Sequence, residues 1–133
     1  EMGLEHVRFI GRQPRERIPF FIAASDVCLV SLSRIDFLAY ALPSKLFEFM
    51  ACGRPIILSA KGASRQLIES AQCGIGVEPE QPEALAEAIL KLHRDQSLGE
   101  QLGRNGRRFA ASNMDRTKFA IKYEQILEQA AQR

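Results

Sequence analysis

The sequence predicts an α/β fold, a doubly wound parallel sheet of the Rossmann-like kind with helices on both faces. Three observations predict it. Short apolar runs such as Val27-Cys28-Leu29-Val30-Ser31-Leu32 and Pro55-Ile56-Ile57-Leu58-Ser59 have the composition of strands covered on both sides. Segments with apolar residues at helical spacing lie between them, so strand and helix alternate. The connections are short, which fits right-handed crossovers and places a ligand outside the carboxyl ends of the strands, where the strand order reverses.

The elements follow in order. Val7-Arg8-Phe9-Ile10-Gly11 is an apolar and aromatic run closed by glycine, and reads as a first strand. Pro14 to Ala24 carries Ile18, Phe21 and Ile22 at helical spacing, and Val27 to Leu32 is the second strand. Ser33 to Leu42 lacks periodicity and reads as a loop. A helix from about Pro43 to Cys52 starts at proline and stops at Gly53. Pro55 to Ser59 is the third strand, Ser64 to Ser70 a helix with Leu67 and Ile68 inward, and Gly74 to Val77 a fourth strand. Pro82 to His93 is amphipathic, with Leu85, Ala88, Ile89 and Leu92 on one stripe. Helices are also expected over Ser97 to Ala111 and Thr117 to Ala131, the last with Phe119, Tyr123, Ile126 and Leu127 at core spacing.

Composition excludes several function classes. The 133 residues are one domain's worth, 46% hydrophobic and 26% charged, as in an ordinary globular domain. A net charge of +2 gives no general attraction to nucleic acid or an anionic membrane. No apolar stretch approaches the ~20 residues that cross a bilayer. Glu1, Glu5, His6 and Arg8 interrupt any apolar core of a signal peptide, and the abrupt opening reads as a segment of something longer. Cys28, Cys52 and Cys73 are far apart, form no CxxC pair, and have no histidine near them in sequence. They read as buried free thiols in a reducing compartment, which favours the cytoplasm, with no metal site implied.

The chemistry concentrates in Ala41-Leu42-Pro43-Ser44-Lys45-Leu46-Phe47-Glu48-Phe49-Met50-Ala51-Cys52-Gly53-Arg54-Pro55. Wound as a helix, it puts Leu42, Leu46, Phe49 and Met50 on a buried stripe and Lys45, Glu48 and Cys52 on another face. The helix tip follows a loop leaving the carboxyl end of a strand, so its free N–H groups and dipole make an anion site. Lys45 in the first turn opposes that dipole at a cost of about 0.3–1 kcal/mol, a sign that a bound diphosphate would reverse. Glu48, one turn on, offers two acceptor oxygens to a pair of neighbouring hydroxyls such as those of a ribose. The bland alternative is an exposed Lys45–Glu48 pair worth about 0.2–0.5 kcal/mol, with Ser44 a simple helix cap.

Pro43-Ser44-Lys45-x-x-Glu48-x-Met50-Ala51-x-Gly53-x-Pro55 resembles the donor-site signature of retaining glycosyltransferases of the large family 4, which have the GT-B fold. Val7-x-Phe9-x-Gly11, Ala24-Ser25-Asp26-Val27, Gly74-x-Gly76, Pro82 to His93 and Gly106-Arg107-Arg108-Phe109 extend the resemblance along the whole chain. It implies that residues 1–133 are the C-terminal, donor nucleotide-sugar-binding half of such an enzyme. Leu42-Pro43-Ser44-Lys45 resembles the members that build bacterial surface polysaccharides. The resemblance further implies transfer of a sugar, with retention, from a nucleoside diphosphate to a glycan or lipid-linked acceptor, without a metal or other cofactor. UDP is favoured over GDP as the carrier.

By the same resemblance, Leu42, Pro43, Ser44, Lys45 and Glu48 bind the donor, and Glu48 holds its ribose. The family has a further glutamate eight residues before this one, near the donor sugar; here that position is Tyr40. Its role is absent, replaced by Tyr40, or taken by Asp36. The family's phosphate-neutralising arginine and lysine, and its acceptor domain, would lie upstream of Val7. The chain alone is therefore expected to bind nucleotide weakly and to turn over nothing.

Secondary candidates are Arg12 after the first strand and Ser59, with Ala60, Lys61 and Gly62, after the third; a simple turn is the alternative for the latter. Arg104, Arg107, Arg108 and Arg116 form a basic cluster, read as a solvated helical face or as contact with anionic lipid at the inner membrane face or with the acceptor domain. No aromatic interleaving supports nucleic-acid binding. Two other functions share the architecture. A GT-B nucleotide-sugar 2-epimerase needs added acid/base carboxylates and a cleft histidine, for which His6 and His93 are poorly placed. A non-catalytic receiver-like or flavodoxin-like module needs, in the receiver case, acidic clusters this sequence lacks.

Overall fold

The computed structural model describes residues 3–131, apart from the side chains of Asp36, Phe37, Arg116 and Lys118. Glu1 and Met2 of the opening segment lie outside the described residues. The elements are helix α1 (Ile18–Ala24), strand β1 (Cys28–Ser31), α2 (Ser44–Ala51), β2 (Ile56–Ser59), α3 (Ala63–Ser70), β3 (Gly74–Val77), α4 (Pro82–Arg94), α5 (Gln96–Asn113) and α6 (Arg116–Ala131). Short 3-10 helices cover Arg15–Arg17 and Asp36–Tyr40.

The three strands are all parallel, in the order β1-β2-β3, with Cys28 beside Ile56 and Ile56 beside Gly74. The order is sequential, so the reversal expected from the sequence is not present among the described residues. Helices nevertheless cover both faces, because successive side chains of a strand point to opposite sides. Ile56 and Leu58 pack with Val30, Leu46, Met50 and Ile68, under α2, α3 and the later part of α5. Ile57 packs with Val77, Ala88 and Leu92, under α4 and the earlier part of α5. Each fully buried Ile, Leu, Val or Met here contributes about 1.5–3 kcal/mol.

Three expectations are corrected. Val7 to Gly11 is not a strand, and Val7, Phe9 and Ile10 are exposed. A strand exists only if its N–H and C=O groups find a neighbour, and no described strand pairs with this segment. The loop at 33–42 contains the 3-10 helix Asp36–Tyr40. Phe119, Tyr123, Ile126 and Leu127 of α6 are 52–64% exposed, so their spacing is helical but no described element covers them. Ile89 of α4 and Leu42 before α2 also stand open, at 45% and 50% exposure. No helix among the described residues is long and apolar enough to cross a membrane.

The close packing of α5 on the turn after α2 depends on Gly103. A Cβ there would overlap the Gly53 carbonyl oxygen, which belongs to backbone and cannot swing aside. Gly103→Ala is expected to cost about 1–3 kcal/mol of stability, measurable by urea unfolding. An unchanged midpoint would show that the two backbones are not held together.

Candidate functional site

Parallel β1 and β2 fix where α2 begins. The chain leaves the carboxyl end of β1 at Ser31, returns through α2, and enters β2 at Ile56, so the first turn of α2 stands at the carboxyl edge of the sheet. Pro43 is the helix N-cap, extended at φ −58° and ψ 130°, and no side chain caps the helix. Leu46 N–H donates to the Pro43 carbonyl at 3.0 Å. The N–H groups of Ser44 and Lys45 donate to no described residue. Ser44 is the first helical residue, and the capping role weighed for it is not what the structure forms.

Leu46 and Met50 are fully buried and Phe49 is half-buried, so they anchor the helix to β2 and α5. Ser44, Lys45 and Glu48 face solvent. Lys45 and Glu48 make no ion pair with each other or with any described residue. The bland reading as a surface pair is therefore not realised. A cation, a carboxylate and two open amides remain at one helix end, and Pro43, half-buried, fixes the entry angle.

The remaining candidates divide. Tyr40 closes the 3-10 helix and is 85% exposed, three residues before Pro43. The Asp36 side chain lies outside the described residues. Ser59 is buried, and its hydroxyl reaches the Glu78 carbonyl at 3.5 Å, so it ties the ends of β2 and β3 rather than offering itself to a ligand. Arg12 is exposed in an irregular segment, without a hydrogen bond or ion pair to the described residues of the site. On α5, Arg104 of the basic cluster is neutralised by Glu100 at 3.2 Å, while Arg108 keeps its charge and donates to Asn105 at 2.9 Å. The Arg116 side chain is outside the described residues.

The structure joins Lys61, weighed in the sequence as a donor contact or part of a simple turn, to two residues that sequence reasoning passed over, Arg65 and Glu78. Lys61, after β2, meets Glu78, after β3, at 3.0 Å, and Arg65 of α3 meets the same carboxylate at 3.2 Å and Glu69 at 2.8 Å. The hydrogen bond from Lys61, with the charges of Lys61, Arg65 and Arg34, holds the Glu78 carboxyl below the ordinary glutamate range despite some desolvation. Glu80 accepts from the Arg34 backbone N–H at 3.1 Å. Gly62, at φ 71° and ψ −139°, presses against Ala39, locking the loop after β2 onto the 3-10 helix. A cavity of about 50 Å³ lies here, between Ser33, Leu38, Ala39, Lys61 and Pro79. The only sequence signal was the strand end at Ser59 followed by Lys61-Gly62; Glu78 carried none.

A larger groove, of about 980 Å³, lies elsewhere. Asp26, Arg54, Pro55, His93, Glu100 and Arg107 line it, at the amino edge of the sheet. Helices α2 and α4 end there, and cations beside helix carboxyl ends complement the dipole; Arg54 donates to the Ala23 carbonyl at the end of α1. Ligands of parallel sheets bind at the opposite edge, so volume is the weaker guide here.

Burial raises the thiol pKa of Cys28 to about 11, partly offset by the charge of Arg54, and that of Cys73 to about 11. Both are expected to resist a thiol reagent at pH 8 while half-buried Cys52 reacts first; equal rates for all three in the native protein would contradict their burial. The unfolded thiols ionise at lower pH than the folded ones, so this contribution to stability is present below pH 9 and lost as pH rises toward 11.

Residues 1–109 match the sequence pattern of the family described as Glycosyl transferases group 1. Among curated relatives, Bacillus subtilis spore coat protein SA is 32% identical over 128 residues, which are 96% of this chain and 33% of that protein. The uncharacterized glycosyltransferase MJ1069 of Methanocaldococcus jannaschii is 25% identical over 92% of the chain and 30% of its own length. Among solved structures, the sucrose-phosphate synthase of Thermosynechococcus elongatus superposes with a TM-score of 0.80 at 28% identity, over 92% of this chain and 30% of that one. Anabaena HepE, solved in complex with UDP, superposes at 0.76 with 21% identity, over 86% and 30%. The chain thus spans about a third of the length of these proteins.

Proposed function

Because the chain belongs to the glycosyl transferases group 1 family, we propose that residues 1–133 are its donor unit and bind a nucleoside-diphosphate sugar at the tip of α2. One observation carries this: Lys45 and Glu48 stand exposed and unpaired by described residues beside the open Ser44 and Lys45 amides, at the carboxyl edge of the sheet. The amides and the helix dipole receive the diphosphate, Lys45 adds charge, and Glu48 accepts from the ribose hydroxyls. Leu42 and Pro43 form the apolar shoulder before the helix. Tyr40, in the place of a family glutamate, stands toward the donor sugar.

UDP is the carrier in this proposal, supported by the UDP and UDP-glucose complexes of the structurally similar HepE. The acceptor domain forms the opposite wall and supplies the upstream cations, so the chain alone has an open half-site rather than an enclosed cavity. The intact enzyme transfers a hexosyl or N-acetylhexosaminyl group with retention, without a metal, to a glycan or lipid-linked acceptor of a surface polysaccharide. It works in the cytoplasm, with Arg104, Arg107 and Arg108 facing an anionic membrane surface.

The test is an amide-shift titration of the 133-residue chain with UDP and GDP. UDP is expected to move the Ser44–Glu48 amides with millimolar affinity and to bind more tightly than GDP. Micromolar or tighter binding in calorimetry would refute the half-site. Shifts confined to the amino-edge groove at Arg54 and Arg107 would remove the proposed site altogether.

A further inference from the structure

We infer that Lys61 is a second donor-facing cation, paired with Glu78 in this structure and transferred to the donor diphosphate on binding. The inference rests on the donor-site reading above and adds a residue to it.

Four observations support it. Lys61 leaves the carboxyl end of β2, at the sheet edge where α2 begins. Gly62, next to Lys61, pins the backbone against Ala39, which lies four residues, at most about 14 Å of extended chain, before Pro43. Its side chain is 52% exposed at the rim of the small cavity shared with Ser33 and Ala39, and is therefore free to swing. Glu78 holds two cations, so when Lys61 departs the carboxylate keeps Arg65 at 3.2 Å and is not left unpaired.

The charge arithmetic favours the exchange. An exposed lysine–carboxylate pair is weak, and a diphosphate offers the ammonium more negative charge than one shared carboxylate does. Lys45 stands in the first turn of α2, so a donor bound there would meet two lysines from two different strand–helix connections.

The experiment uses the labelled 133-residue chain, titrated with UDP and with uridine, which lacks phosphate. Lys61→Met is expected to weaken UDP binding roughly threefold to fivefold and to leave uridine unchanged. Lys61→Arg should restore UDP binding in part. Glu78→Gln, which frees Lys61 from its ion pair, should tighten UDP binding, whereas a purely structural ion pair would leave it unchanged or weaken both ligands. The Lys61 side-chain resonances should shift with UDP and not with uridine. If UDP and uridine move the Ser44–Glu48 amides but Lys61→Met changes neither affinity, or both equally, the inference is overturned and the donor site stands. If neither ligand moves those amides, the donor reading fails and this inference fails with it.

Discussion

Gly62→Ala is expected to be among the most destabilising single-methyl changes in this domain. The residue combines φ 71° with ψ −139°, a conformation that side chains with a Cβ disfavour by about 1–3 kcal/mol. A Cβ would also overlap the Ala39 carbonyl oxygen, adding about 1–3 kcal/mol of overpacking that only backbone movement relieves. The two penalties act through different mechanisms and add in part, so Tm should fall by roughly 8 °C or more. Relief of the overlap moves the Asp36–Tyr40 helix away from α3, and with it the chain leading to Pro43. Nucleotide binding at the α2 tip should then weaken even below the new Tm. Thermal unfolding followed by circular dichroism decides the first part: a Tm within about 2 °C of wild type would show that the turn does not hold the loop.

Glu48→Gln should leave folding intact and damage the donor site. Glu48 is exposed and pairs with no described residue, so its replacement removes no contact within the domain. Hydrogen bonds to a charged acceptor contribute about 1.5–3 kcal/mol, and the glutamine retains one acceptor oxygen without the charge. UDP affinity should fall roughly 10-fold to 100-fold, with an unchanged Tm. In the intact enzyme the donor KM should rise and kcat should fall. Kinetics equal to wild type would remove Glu48 from the site and leave the α2 tip without its ribose acceptor.

Much of this was legible in the sequence. Ile56-Ile57-Leu58 is continuously apolar because β2 is the central strand and feeds a different core on each face. The α2 segment announced both its anchors and its open face: Leu46 and Met50 are buried, while Lys45 and Glu48 are exposed. Helical periodicity reports which residues share a face, and a well-packed domain then covers the apolar one.

Val7 to Ile10 and α6 show where that inference stops. Their patterns are those of a strand and of a packed helix, but pairing and covering require a second element that the pattern does not name. The same holds at the site. Lys61, Arg65 and Glu78 lie 4 to 17 residues apart, and nothing in their types says that one carboxylate collects both cations. Gly62 reads in the sequence as a donor contact or part of a simple turn; only its approach to Ala39 shows that it locks the loop after β2 onto the 3-10 helix.

The sequence by itself determined the alternation of strand and helix, the two-sided burial of β2, and the exposed Lys45–Glu48 face of α2, because these follow from local periodicity and side-chain chemistry. Only the tertiary structure decided which apolar faces are covered, that Glu78 gathers Lys61 and Arg65, and that Gly62 locks two loops together. Those depend on contacts between residues distant in sequence, which the folded backbone alone brings within a few ångströms.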